Sequence, residues 1–156
     1  MMTNTYVPLA NITLTSTDSE IVFSSIPATY RDLVLVWNGS TTGNTDLRLR
    51  YNLDANNNYF YVAVDNTFNQ ASTSSSAHHF MFSTTAQWSH ISHIMDYSAT
   101  DKQKTTLSRR NSAGHGTVAM EANRWANTAA IHTVSVTAPS NPMQVGTTIS
   151  LYGVAA

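Results

Sequence analysis

The sequence predicts an all-β fold, an antiparallel sandwich of about ten short strands with jelly-roll-like character. Three observations predict it. Apolar residues recur with period two and nothing sustains a helical period over a dozen residues. Ser, Thr and Asn make up about a third of the chain, and these residues disfavour helix interiors but suit turns and strand faces. Turn-forming residues punctuate the apolar runs at near-regular spacing, as in sandwiches and barrels.

Taken in order, Ile12 and Leu14 alternate with Asn11, Thr13 and Thr15, and Ile21 and Phe23 form a second short strand. Leu33 to Trp37 is a continuous apolar run, expected of a central strand covered on both faces. Asp46 to Tyr51 alternates, with Leu47, Leu49 and Tyr51 inward and Arg48 and Arg50 outward. Tyr59 to Val64 sets Phe60, Val62 and Val64 on one face against Tyr59, Tyr61 and Ala63. Ala71 to Ala77 is of low complexity and reads as a surface loop. Phe80 and Phe82 share a face, Trp88 to Tyr97 is an aromatic-rich strand, and Thr105 to Arg109 is a weaker one. Val118, Met120 and Ala122 share a face, as do Val134 and Val136. A phase slip between Ile131 and Val134 predicts a bulge or a strand starting only at His132. Thr148 to Val154 closes the fold with Ile149 and Leu151. Turns fall at Pro27, Asn38-Gly39, Gly43-Asn44, Asn56 to Asn58, Gly114 to Gly116, Pro139 to Pro142 and Gly146.

The 156 residues fit one domain, 1–156, in which 1–8 is expected to be an extended N-terminal arm. With no cysteine, neither a disulfide framework nor a thiolate metal site can form. Charged residues are only 11% of the chain and the net charge is −1, so no global field steers it to nucleic acid or an anionic membrane. Groups that are polar but uncharged cost less to bury than ions, which suits permanent packing against neighbours. The start, Met1-Met2-Thr3-Asn4-Thr5, lacks the basic and apolar regions of a signal peptide, and the chain reads as a native gene product.

Each chemical motif fails on spacing. His90 and His93 are three apart, which on a strand points them to opposite faces, and the adjacent pair His78 and His79 diverges likewise. No HExxH is present. The segment Asn52 to Asn58 places oxygen-bearing side chains as calcium loops do. Counted from Asp54, however, Tyr59 and Asp65 stand where an EF-hand needs Gly and Glu. There is no Gly-x-Ser-x-Gly elbow and no phosphate-binding glycine loop. Seven Asp and two Glu fall mostly at strand ends or turns, so nothing signals a glycosidase pair. The sequence therefore predicts no enzyme, no metal and no cofactor.

Two segments are candidates for contact. Lys102, Lys104, Arg109 and Arg110 form a basic patch that could meet an acidic surface, although a solvated strand edge is the blander reading. The stretch Met1, Met2, Thr3, Asn4, Thr5 and Tyr6 could be an arm that orders on a neighbour. Aromatics Trp37, Tyr59, Tyr61, Trp88 and Trp125 could line a sugar-binding face, but core or subunit interface is the simpler assignment. The sequons at Asn11 and Asn38 are expected by chance in a chain this rich in Ser and Thr.

Three stretches together carry a resemblance. They are Ile12-Thr13-Leu14 through Ile21 to Val36; Leu47-Arg48-Leu49-Arg50-Tyr51-Asn52 leading to Asn58-Tyr59; and Trp125 to Ile131 before Gly146 to Val154. This pattern resembles small virion proteins of tailed bacteriophages, which are stand-alone decoration or cement proteins and distal domains of tail fibres. Leu53 departs from it, since similar proteins often have Gly after the Asn. The resemblance implies a jelly-roll-like sandwich, often trimeric, with no catalytic residues. It also implies a place in the virion, the chain being made in the host cytoplasm. On this basis the expected role is a capsid decoration protein with the major capsid protein and itself, as a homotrimer, for partners. The alternative is a tail-tip module binding host glycans, less favoured because the fold begins so close to residue 1. A free bacterial lectin would need a secretion signal.

Overall fold

The computed structural model describes residues 5–65, 69–82, 86–114 and 118–155; at 69–70 and 78–82 it describes the backbone alone. Phe80, Phe82 and the paired His78 and His79 thus have side chains outside the described residues.

Among the described residues twelve strands form two antiparallel sheets: β1 (Tyr6–Thr13), β2 (Glu20–Phe23), β3 (Asp32–Gly39), β4 (Thr45–Tyr51), β5 (Tyr59–Asp65), β6 (Asn69–Ser74), β7 (Ala77–Phe82), β8 (Trp88–Met95), β9 (Lys104–Ser112), β10 (Val118–Trp125), β11 (Val134–Thr137) and β12 (Thr148–Val154). The larger sheet has eight strands in the order β1-β12-β3-β8-β9-β10-β5-β6, and the smaller has four, β2-β11-β4-β7. The chain crosses from one sheet to the other after β1, β2, β3 and β4, then again around β7 and β11. This wrapping is what a jelly-roll-like sandwich requires.

The core lies between the sheets. Leu33, Leu35, Trp37, Ile149 and Leu151 of the large sheet meet Ile21, Phe23, Leu47, Leu49 and Val136 of the small one. Each such side chain contributes about 1.5–3 kcal/mol by leaving water. At one end Tyr51, Tyr59 and Trp125 cluster with ring centroids 5.8–6.4 Å apart, Tyr59 stacked on Trp125 and Tyr51 edge-on to it, a geometry that adds to area burial. Gly153 lies under the ring of Tyr30, whose carbons would stand 2.4–2.6 Å from any Cβ there.

Leu47, Leu49 and Tyr51 point inward and β3 lies inside its sheet, as expected, while β11 begins at Val134, two residues past the expected start at His132. On β3, however, Leu33, Leu35 and Trp37 are buried while Val34 and Val36 are only half-buried, so the outer face lacks the expected cover. Three expectations are corrected. Of the low-complexity stretch expected to be a loop, Ala71 to Ser74 belong to β6, whose Ser and Thr residues suit an exposed edge strand, and only Ser75 and Ser76 connect it to β7. The second correction is that Lys104 to Ser112 is a nine-residue interior strand, not a weak one. Third, the fold starts at Tyr6 rather than near Ile12. Tyr6, Val7 and Pro8 pair with Val154, Gly153 and Tyr152, and the Ala155 amide donates to the Thr5 carbonyl at 2.9 Å. Thr5 and Tyr6 are thus tied to the far end of the chain and are not part of a free arm; Met1 to Asn4 lie outside the described residues.

Candidate functional site

The basic segment does not form one surface. Period two splits it, because even-numbered residues of β9 face the interior and odd-numbered ones face out. Lys104 is buried and donates through Nζ to the carbonyls of Lys102 at 2.9 Å and Thr128 at 3.1 Å. Burial pushes its ammonium pKa down. Arg110 is also buried, with its guanidinium 5.2 Å from the centre of the Trp88 ring, a cation–π distance. Burial pushes its pKa down against the opposing pull of Glu121, Asp65 and Asp46. Only Lys102 and Arg109 face solvent, and Lys102 reaches Asp96 at 3.5 Å.

Arg110 belongs to a polar cluster inside the sandwich. His90, Ser92, Ser108, Glu121 and Asn123 all occupy inward positions on β8, β9 and β10 and are all buried. His90 Nε2 and Ser92 Oγ are 2.9 Å apart, and Ser92 Oγ shares a second hydrogen bond of 2.9 Å with Ser108. His93 lies on the opposite face from His90, as the strand period dictates. There its Nε2 meets the Asp32 carboxylate at 3.0 Å. Burial raises the pKa of Asp32, but donors from Asp96, His93 and Arg31 outweigh it and the net shift is downward. Among the described residues no three His, Asp or Glu side chains gather into a metal-binding group.

The loop with calcium-like spacing turns its carboxylate onto itself. Asp54 Oδ1 accepts from the Asn56 amide and Asn56 Nδ2, and Oδ2 accepts from Asn58 Nδ2 and Trp125 Nε1, all at 2.8–3.0 Å. Burial raises the Asp54 pKa, yet these donors hold it at about 2. Trp37, Tyr59, Tyr61, Trp88 and Trp125 are all buried, so none offers an exposed platform for a sugar.

The polar interior has a counterpart outside. On β9 and β10 the amphipathic pattern is inverted, with polar residues inside and aliphatic residues turned to solvent, and β5 is apolar on both faces. Phe60, Val62, Val64, Leu107, Val118 and Met120 are between 37% and 63% exposed. They are aligned by register: Val64, Met120, Arg109, Ile91 and Val36 form one cross-strand row, and Val62, Ala122, Leu107, His93 and Val34 form the next. A shallow depression of about 270 Å³ lies in this face, lined by Tyr6, Val34, Ile91, Leu107 and Met120 among others. Sequence reasoning noted that Val118, Met120 and Ala122 share a face but had no means of telling which. The signal that could have found it is the company they keep: their strand neighbours Glu121 and Asn123 face the other way, into the core.

No family model matches the chain, and no curated protein matches it. Among solved structures the marine PL-14 alginate lyase from Aplysia kurodai is similar, with a TM-score of 0.42 at 8% sequence identity, over 96% of this chain and 90% of that one. A likeness at that level carries no argument about chemistry or ancestry.

Proposed function

We propose that this chain is a non-enzymatic structural protein of a tailed-phage particle. Its role is that of a decoration protein that binds the outer surface of the head as a homotrimer and stabilises the contacts between capsomers. The observation that supports an assembly role is the exposed aliphatic face of β5, β9 and β10. An isolated domain gains nothing by exposing Val62, Val64, Leu107, Val118 and Met120 while burying Arg110, Glu121 and Asn123. A protein whose outer sheet becomes covered in an assembly gains from taking those aliphatic side chains out of water. The viral setting comes from the sequence resemblance alone.

The mechanism is interfacial. Each bound copy buries surface that is exposed on the undecorated head, and anything that binds the assembled lattice and not the free subunits shifts the equilibrium toward the lattice. The few surface charges favour such contacts, because little ion desolvation opposes them. The glycan-binding alternative is less well supported now that all five of its candidate aromatics lie in the interior. The test is to mix purified protein with undecorated heads of the particle whose genome encodes it and count bound copies. Hundreds of copies per head, with a raised disruption temperature, are expected. Absence of binding to heads would overturn the role.

A further inference from the structure

We propose that the outer face of the eight-stranded sheet is the contact between copies of this chain, with Val62, Leu107 and Met120 at its centre. The occupant is a second copy rather than a different macromolecule, and three features of the face argue for it.

The first is size. Eight strands spaced about 4.8 Å apart and some eight residues long give a face of roughly 900 Å². A stable contact of standard size needs about 800 Å² from each partner. The face is therefore large enough to hold a complex together unaided. Its exposed aliphatic area also exceeds what singly scattered surface residues explain.

The second is layout. Aliphatic side chains run in rows across β5, β10, β9, β8 and β3, while the flanks add uncharged polar residues, Thr73 on β6, Ser150 and Thr148 on β12, and Asn11 and Thr13 on β1, beside the rings of Tyr6 and Tyr152. An apolar centre with a polar rim is the anatomy of a protein–protein interface.

The third is charge. The outward positions of β5, β10, β9 and β8 carry no carboxylate, and Asp32 at the start of β3 is engaged by Arg31, His93 and the Asp96 amide. Arg124 sits at the margin with its guanidinium 5.8 Å from the Phe60 ring. Arg109 is the cation nearest the middle, and its aliphatic stem adds to the apolar surface while the head group reaches outward. Such a face gives a partner of another kind little electrostatic pattern to recognise, since specificity between unlike proteins draws on complementary charge. Two copies meet across it without opposing blocks of like charge.

This deepens the assembly role proposed above and rests on it only for the trimeric count. It is tested on the free protein, so its failure is distinct from a failure to bind heads. Sedimentation of the purified chain at on the order of 100 µM should give a discrete multiple of the 17.1 kDa monomer, three for the expected trimer. L107D combined with M120D should return it to a monomer that still melts cooperatively. A wild-type monomer at that concentration, or a folded double variant that keeps the multimer, would overturn the assignment. Because the chain has no cysteine, a second measurement avoids charged substitutions altogether. L107C should cross-link between copies through a short bis-maleimide, whereas V145C, on an exposed loop away from the face, should not. Equal cross-linking at both positions would count against the proposal.

Discussion

At the scale of single residues, the connection between β4 and β5 shows how a turn stores strain. Asn52 and Leu53 have φ of 52° and 58°, and the Asp54 amide donates to the Tyr51 carbonyl at 3.0 Å, which is the arrangement of a type I′ turn. Asn tolerates the left-handed region, and Asn52 is further held by its side chain, which accepts from the amides of His132 and Thr133 and donates to the Ala130 carbonyl. Leu53 has no such compensation: it is exposed and pays the usual penalty of a branched side chain at positive φ. This is the position where the resembling phage proteins often carry Gly. Replacing Leu53 with Gly should remove about 1–2 kcal/mol of strain, less about 0.5–1 kcal/mol for the freer unfolded chain. A melting temperature raised by about 2–4 °C is expected, and a fall would mean that Leu53 makes a contact in the assembled protein. The neighbouring Asp54 gives a pH dependence. Its folded pKa of about 2 lies below the ordinary 3.8, so its contribution is complete above about pH 4 and is lost as the pH falls toward 2. Asp54→Ala should therefore destabilise the protein at pH 7, leaving the buried Trp125 indole N–H without its acceptor, and the gap to wild type should narrow in acid unfolding titrations.

At the scale of the element, β9 shows both what a sequence conveys and what it conceals. Where the apolar face of a strand is the core face, as in β4 with Leu47, Leu49 and Tyr51, alternation alone gave the strand and its orientation. In β9 the inward residues are Lys104, Thr106, Ser108 and Arg110, and the one large aliphatic residue, Leu107, faces out. A rule that places apolar residues inside has nothing to hold there, so the strand read as weak and its cations as one patch. The first half of β1 and the whole of β6 were hidden for another reason. Pro8 and the register shift between Pro8 and Ala10 break the alternation of β1, and β6 is almost wholly polar where its pattern is described. The division within β9 makes a direct prediction. Lys104→Met leaves two carbonyls without a donor, and Arg110→Met strands the carboxylates around it, so each should cost about 2–4 kcal/mol in urea denaturation. Arg109→Ala and Lys102→Ala should stay within about 0.5 kcal/mol in the monomer. Equal effects at all four positions would refute the alternation of faces.

At the scale of the whole molecule, the two ends of the chain close the large sheet together. β12 lies between β1 and β3, pairing with the first strand through Tyr6 to Thr13 and with the central strand through Asp32 to Asn38. Its inward residues Ile149 and Leu151 belong to the core. Until Thr148 to Val154 are in place, β1 has no partner and β3 presents an open edge in the most apolar part of the sheet. Unpaired edges of that kind invite association with other chains. The fold is thus dominated by pairings between residues far apart in sequence, whose loop-closure cost must be met before they reward the chain. Folding is expected to be slow and to wait for Thr148 to Val154. Removing residues 148–156 should abolish the cooperative thermal transition and drive the product into the insoluble fraction. The same deletion should be rescued in part by supplying a peptide of residues 147–155, which can restore the missing strand between β1 and β3 and its pairing with each. If the truncated chain instead remains soluble with a cooperative transition, the large sheet closes without its last strand, and the joining of the two ends is an ornament of the fold rather than its final step.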